Sequence, residues 1–160
     1  MDPKPIYDDP DYRAGGKLQG KIAIVTGGDS GIGRPVAVAF AKEGANVAIV
    51  YLSEDSDAEQ TRQAVEGYGA QALLIRGDLG EVVFSAQLIK ATLAHFGKLD
   101  ILVNVAGEQH PQADFAAITP QQLAQTFRTN IFSLFYLCQA GLQLSQTSNC
   151  SRRNASAASS

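Results

Sequence analysis

Two rhythms of apolar and polar positions alternate along the chain. Residues 21–25, 45–51, 70–75 and 99–104 are short, largely aliphatic runs, the pattern of strands covered on both faces, as in a parallel sheet. Between them, apolar positions recur at helical spacing. Val36, Ala37, Ala39, Phe40 and Ala41 mark a helix that Gly44 stops. Ala64, Val65 and Tyr68 give a second helix its apolar face, with Ser56-Asp57-Ala58-Glu59 as a capping box before it and Gly69 after it. Val83, Phe84, Leu88, Ala91 and Phe96 predict a third over residues 80–96. A loop over 105–118 then leads to Thr119-Pro120, an N-cap with a first-turn proline, which opens a long helix to about residue 142. This alternation predicts an α/β fold, a parallel sheet of about four strands joined by right-handed crossovers.

Both ends break the rhythm. Residues 1–20 hold three of the six prolines, interleave Asp8, Asp9 and Asp11 with Tyr7 and Tyr12, and end in Gly15-Gly16. They predict an extended arm, either a loosely held terminus or a segment whose tyrosines dock on a neighbouring subunit. Residues 143–160 are serine-rich, carry Arg152-Arg153 and lack acidic groups. So polar a segment buries too little apolar surface to offset its ordering entropy, and a disordered tail is predicted. The folded domain is expected over residues 21–142.

Composition narrows the partners. With 160 residues, 45% apolar and 18% charged, the chain suits one globular domain. A net charge of −3 provides no basic field for nucleic acid. No apolar run approaches the ~20 residues of a membrane helix, and Met1-Asp2-Pro3-Lys4-Pro5 does not start a secretory signal, so a cytoplasmic protein is expected. Cys138, Cys150, His95 and His110 fall at no metal-ligand spacing, and no metal site is predicted.

The chemistry concentrates between the first strand and the first helix, in Thr26-Gly27-Gly28-Asp29-Ser30-Gly31-Ile32-Gly33-Arg34. Glycines 27, 31 and 33 let the backbone turn tightly and approach a pyrophosphate, while the N–H groups of the helix start face its charge. An ordinary strand-to-helix turn would use glycines too. A P-loop is excluded, because Gly33 is followed by Arg34-Pro35 rather than by Lys and Ser or Thr.

The spacing Thr26-Gly27-x-x-x-Gly31-Ile32-Gly33 resembles the glycine signature of the short-chain dehydrogenases/reductases. The resemblance implies a Rossmann-type doubly wound parallel sheet, here incomplete, binding NAD or NADP through Gly27, Asp29, Ser30, Gly31, Ile32 and Gly33. Tyr51 ends the second strand, where NAD-preferring relatives place an acid on the ribose; Glu54 and Asp55 come too late in the loop, and Arg34 is the nearest basic group in sequence. These positions favour NADP over NAD, although Tyr51 would equally serve as a plain sheet-end aromatic. Asp78-Leu79 resembles the adenine-contacting pair, with a turn or helix cap as the alternative role of the aspartate. Asn104-Val105-Ala106-Gly107 is similar to the family's Asn-Asn-Ala-Gly segment, with Val105 departing from it. Asn130 resembles the helix asparagine that kinks its helix and holds a water in the proton relay.

The same resemblance implies hydride transfer between nicotinamide and a carbonyl or alcohol substrate, with a Tyr-x-x-x-Lys pair for the proton and a serine that orients the substrate oxygen. That pair is missing. Residues four after Tyr7, Tyr12, Tyr51, Tyr68 and Tyr136 are Asp11, Gly16, Asp55, Ala72 and Ala140, and the last lysine is Lys98. Ser145, Ser148 and Ser151 lie near where the serine would be approached, in the polar tail. The pattern suggests a truncated or frame-shifted version of a longer enzyme, with the strand-four edge and the helix face of Phe127, Leu134 and Leu137 left exposed. Competing expectations are a non-catalytic dinucleotide-binding or interaction module, and a non-functional product; pairing with a second copy is a further expectation.

Overall fold

The computed structural model describes residues 6–144. It divides into two compact units, Met1–Gly77 with Asp100–Ala106, and Asp78–Leu99 with Gly107–Ser160. Of the tail predicted over residues 143–160, the part from residue 145 on, with Ser145, Ser148 and Ser151, lies outside the described residues.

The first unit is a four-stranded parallel sheet with two helices packed against it: β1 (Ile22–Thr26), α1 (Gly33–Lys42), β2 (Asn46–Tyr51), α2 (Asp55–Glu66), β3 (Ala72–Arg76) and β4 (Ile101–Asn104). Strand order is β3-β2-β1-β4, so the winding reverses between β1 and β4. All of β1 is buried, as its unbroken apolar run predicts. Val25, Ala37, Ala41, Val47, Ile49 and Val65 form the core. The register aligns the carboxyl ends of the strands, with Thr26 opposite Val50 and Asn104, and Tyr51 opposite Arg76. In open α/β sheets ligands bind at this edge, beside the strand-order reversal.

The predicted capping box on α2 does not form. The helix starts at Asp55, which places Ser56 inside it, and Glu54 at the N-cap makes no side-chain cap. Glu59, expected to reach back to the cap, instead bonds Arg62 at 2.5 Å. A charge-assisted pair one turn along the helix outcompetes a neutral amide donor.

The arm is fastened rather than loosely held. Glu43, following α1, accepts from the Tyr12 hydroxyl and from the Lys17 and Gly15 amides. Lys42 pairs with Asp8 at 2.5 Å, and the Tyr68 hydroxyl donates to Asp8 at 2.7 Å. The Tyr12 hydroxyl and then the Lys17 amide hold the Glu43 carboxyl below the usual carboxylate range. Lys42, then Tyr68, does the same for Asp8. A carboxyl whose pKa is lower folded than unfolded stabilises the fold above its unfolded pKa, and that contribution fades as pH falls through the folded value. The arm is therefore expected to hold at neutral pH and to detach below about pH 4. Hydrogen-exchange protection of the Gly15 and Lys17 amides should collapse on acidification while β1 stays protected; undiminished protection at low pH would contradict this account.

The second unit contains α3 (Val82–Phe96), a 3₁₀ turn at Phe115–Ala117, and α4 (Pro120–Phe127), which runs through a π turn at Arg128–Phe132 into a helix over residues 133–144. Thr119 and Gln122 form a reciprocal capping box with Pro120 in the first turn, as the sequence predicts. This helix continues two residues beyond its predicted end, through Gln143 and Leu144. The expected exposed face is corrected in part: Phe127 is exposed, but Leu137 is fully buried. No described helix is long and apolar enough to cross a membrane.

Candidate functional site

The glycine turn is built by close backbone approach. A Cβ on Gly33 would fall on the Gly27 carbonyl, 2.6 Å from its carbon and 2.8 Å from Gly28 Cα. Gly27, at φ +62°, lies so near the segment after β4 that a Cβ would sit 3.0 Å from Ala106 Cα. Thr26 fixes that segment: its buried Oγ1 accepts from the amides of Val105 and Ala106 at 3.0 and 3.1 Å. The Gly28 amide donates to Val50 O at 3.2 Å, tying the turn to β2. Gly33 starts α1, whose N-cap, Ile32, makes no side-chain cap bond. Gly31 and Ile32 are exposed beside that start. The result is a shallow backbone cradle at a helix N-terminus, a shape and polarity that suit a phosphate ester.

Asp29 is buried and Ser30 exposed. The Asp29 carbonyl accepts from Arg34 Nε at 3.0 Å and Nη2 at 2.6 Å, and the Ser30 carbonyl accepts from the Gly33 and Arg34 amides. Arg34 thus corrects an expectation. Rather than standing free for a cofactor phosphate, its guanidinium also reaches Thr61 Oγ1 at 2.9 Å and Asp57 Oδ1 at 3.3 Å, and lies 5.3 Å from the centre of the Tyr7 ring. Its side chain is only 14% exposed. The cause is its place on α1, facing α2 across the turn. Arg34 braces the cradle.

Further along the sheet edge, Tyr51 is half-buried, and burial, then Asp55, pushes its phenol pKa up. It stays neutral. Asn104 ends β4 exposed, level with Thr26. Thr26, Tyr51, Asn104 and Ala106 therefore share the edge that holds the glycine turn.

The second unit carries the remaining predicted residues. Asp78 is exposed, and its Oδ1 accepts from the Gly80 amide at 2.8 Å, the local turn bond named as its alternative role. Leu79 is buried and Gly107 exposed. Asn130 lies within the π turn, where Oδ1 accepts from the Glu108 amide at 2.8 Å and Nδ2 donates to the Glu108 carbonyl at 2.9 Å. A π turn widens a helix and commonly marks a functional position. Here it aims an amide at the loop after β4 and pins that loop at Glu108 with two bonds. The described residues contain no cluster able to hold a metal.

Sequence reasoning missed the clamp role of Thr26 and the partnership of Asn130 with Glu108. Thr26 opens the glycine stretch, but nothing local shows that its hydroxyl serves amides near residue 105.

A family model described as short chain dehydrogenase matches residues 21–151. The chain is 56% identical over 142 residues to the uncharacterized oxidoreductase YhdF of Bacillus subtilis (strain 168), an alignment covering 89% of this chain and 49% of that protein. It is 52% identical over 142 residues to General stress protein 39 of the same organism, covering 89% and 50%. Among solved structures, a short chain dehydrogenase from Burkholderia cenocepacia J2315 in complex with NADP matches with a TM-score of 0.74 at 33% identity, over 79% of this chain and 51% of that one. The chain spans about half the length of the curated relatives it matches.

Proposed function

The chain belongs to the short-chain dehydrogenase/reductase family, and from that premise we propose that it binds a nicotinamide dinucleotide as the cofactor-binding half of an oxidoreductase. The observation that carries this reading is the turn between β1 and α1, where any Cβ at Gly33 would collide with the Gly27 backbone. Such a turn keeps main-chain amides and the helix start within reach of a pyrophosphate. Gly27, Asp29, Ser30, Gly31, Ile32 and Gly33 would hold the diphosphate, Tyr51 the adenosine ribose, and Asp78 with Leu79 the adenine. Asn104, Ala106 and Gly107 would border the ribose and nicotinamide side.

When bound, the nicotinamide would supply or accept a hydride, and membership of the family makes a carbonyl or its alcohol the expected substrate class. Asn130 would hold a water for proton transfer in the complete site. The 160 residues contain no Tyr-x-x-x-Lys pair beyond β4, which favours binding without turnover by this chain. A cytoplasmic location, where soluble dinucleotides circulate, and pairing of two copies through the exposed Phe127, Phe132 and Phe135 belong to the same reading.

Titration of the protein with NADH and NADPH, read by reduced-nicotinamide fluorescence, tests it. We expect saturable binding in the range of about 1 µM to 1 mM and no carbonyl reduction above buffer. Folded protein that binds neither cofactor would overturn the reading; binding with turnover would overturn only its non-catalytic part.

A further inference from the structure

Resting on the dinucleotide reading above, we propose that Arg76, and not Arg34, is the residue with which this chain selects NADP(H), by taking the 2′-phosphate of the adenosine ribose. Arg34 is the nearer guanidinium in sequence, but the Asp29 carbonyl, Thr61 and Asp57 already occupy it. Arg76 differs in position and in surroundings. It ends β3 directly opposite Tyr51, the last residue of β2. With strands about 4.8 Å apart, it stands one strand beyond the end of β2, where Rossmann-type sheets hold the ribose 2′ position.

Its side chain crosses that strand end. Nε donates to Leu52 O at 3.2 Å, and Nη1 lies 3.2 Å from Asp55 Oδ2. Both partners of the ion pair are more than half exposed, at 58% and 63%. An exposed pair of this kind is worth little and exchanges freely with a stronger anion. A phosphate offers a higher charge than a carboxylate and, like it, two oxygens that a planar guanidinium fork can bridge. Asp55 loses little on release, because it lies in the first turn of α2, where the helix dipole favours its charge. The loop between Tyr51 and α2 thus holds a fork kept in place by a weak internal counter-ion. Tyr51 carries no carboxylate for a free 2′-hydroxyl, and the acid beside it, Asp55, is engaged by Arg76 and by the Tyr51 hydroxyl, so the added phosphate is what the site discriminates.

The test compares wild type, Arg76→Gln, Arg76→Lys and Asp55→Asn in titrations with NADPH and NADH, and with the fragments 2′,5′-ADP and 5′-AMP. Circular dichroism confirms the fold of each variant. Wild type should favour NADPH. Arg76→Gln should weaken NADPH and 2′,5′-ADP about tenfold, the effect of losing a charge-assisted bond to phosphate, while NADH and 5′-AMP change less than about twofold. Arg76→Lys should retain part of the preference, and Asp55→Asn should tighten NADPH by removing the competitor. Equal losses for phosphorylated and unphosphorylated ligands in Arg76→Gln, or no loss, would overturn the assignment to Arg76. If wild type binds none of the four ligands, the dinucleotide reading itself falls, and the assignment with it.

Discussion

Gly33→Ala is expected to abolish dinucleotide binding and to lower the melting temperature by about 10 °C. The added methyl group would fall on the carbonyl of Gly27 and within 2.8 Å of Gly28 Cα. Both obstacles are backbone, so no rotamer change relieves the overlap. Either the turn opens, and its amides no longer converge, or α1 shifts against β1 and β2. Overpacking that cannot relax costs about 3 kcal/mol or more, and a domain of this size loses roughly 2–4 °C per kcal/mol.

Gly31→Ala is the control. Its φ of +51° makes a side chain uncomfortable, yet a Cβ there meets nothing within 4 Å. It should cost only the left-handed conformational penalty, about 1–2 kcal/mol. Differential scanning calorimetry and a NADPH titration on the two variants separate crowding from conformational cost. Equal melting temperatures for Gly31→Ala and Gly33→Ala would refute the steric account of the cradle.

Thr26→Val should produce the second largest loss. The substitution keeps the size and β-branching of a side chain that is 1% exposed, but removes the oxygen that accepts from Val105 and Ala106. Two part-buried amides are left without their acceptor, at a cost of about 2–4 kcal/mol. Because Ala106 borders Gly27, loosening the segment after β4 should also weaken cofactor binding, whereas Thr26→Ser should retain most of both properties. A Thr26→Val protein that melts and binds like wild type would remove Thr26 from the site.

The Thr26 prediction shares a feature with the arm and with Arg76: a residue whose type is visible in the sequence acquires its role from a distant partner. Glycine spacing marks the turn because backbone conformation is local: Gly27 and Gly31 take positive φ, and α1 follows within two residues. The strands were readable because β1 is buried throughout and β2 from Val47 to Val50, so their inner positions form unbroken aliphatic runs. The capping box at Thr119 was readable for the same reason, since its bonds span only three residues.

Where reading the sequence failed, contacts across the fold decided. Ser56-Asp57-Ala58-Glu59 has the spacing of a cap, but Glu59 turned to Arg62. The arm has the composition of a loose terminus, yet Glu43 gathers a phenol and two amides from it, and Lys42 takes Asp8. Charge and proximity made Arg34 the phosphate candidate, whereas α2 claimed its guanidinium.

By itself, then, the sequence determined the order of strands and helices, the parallel sheet and the glycine cradle, because each follows from apolar periodicity or from backbone freedom within a few residues. Only the tertiary structure decided which polar groups remain available to a ligand. Thr26 serves amides 79 and 80 residues away, Asn130 holds a backbone 22 residues behind it, and Arg76 reaches a carbonyl 24 residues earlier. A side chain's partner is whichever donor or acceptor the folded backbone brings to within about 3 Å, and no short-range pattern encodes that distance.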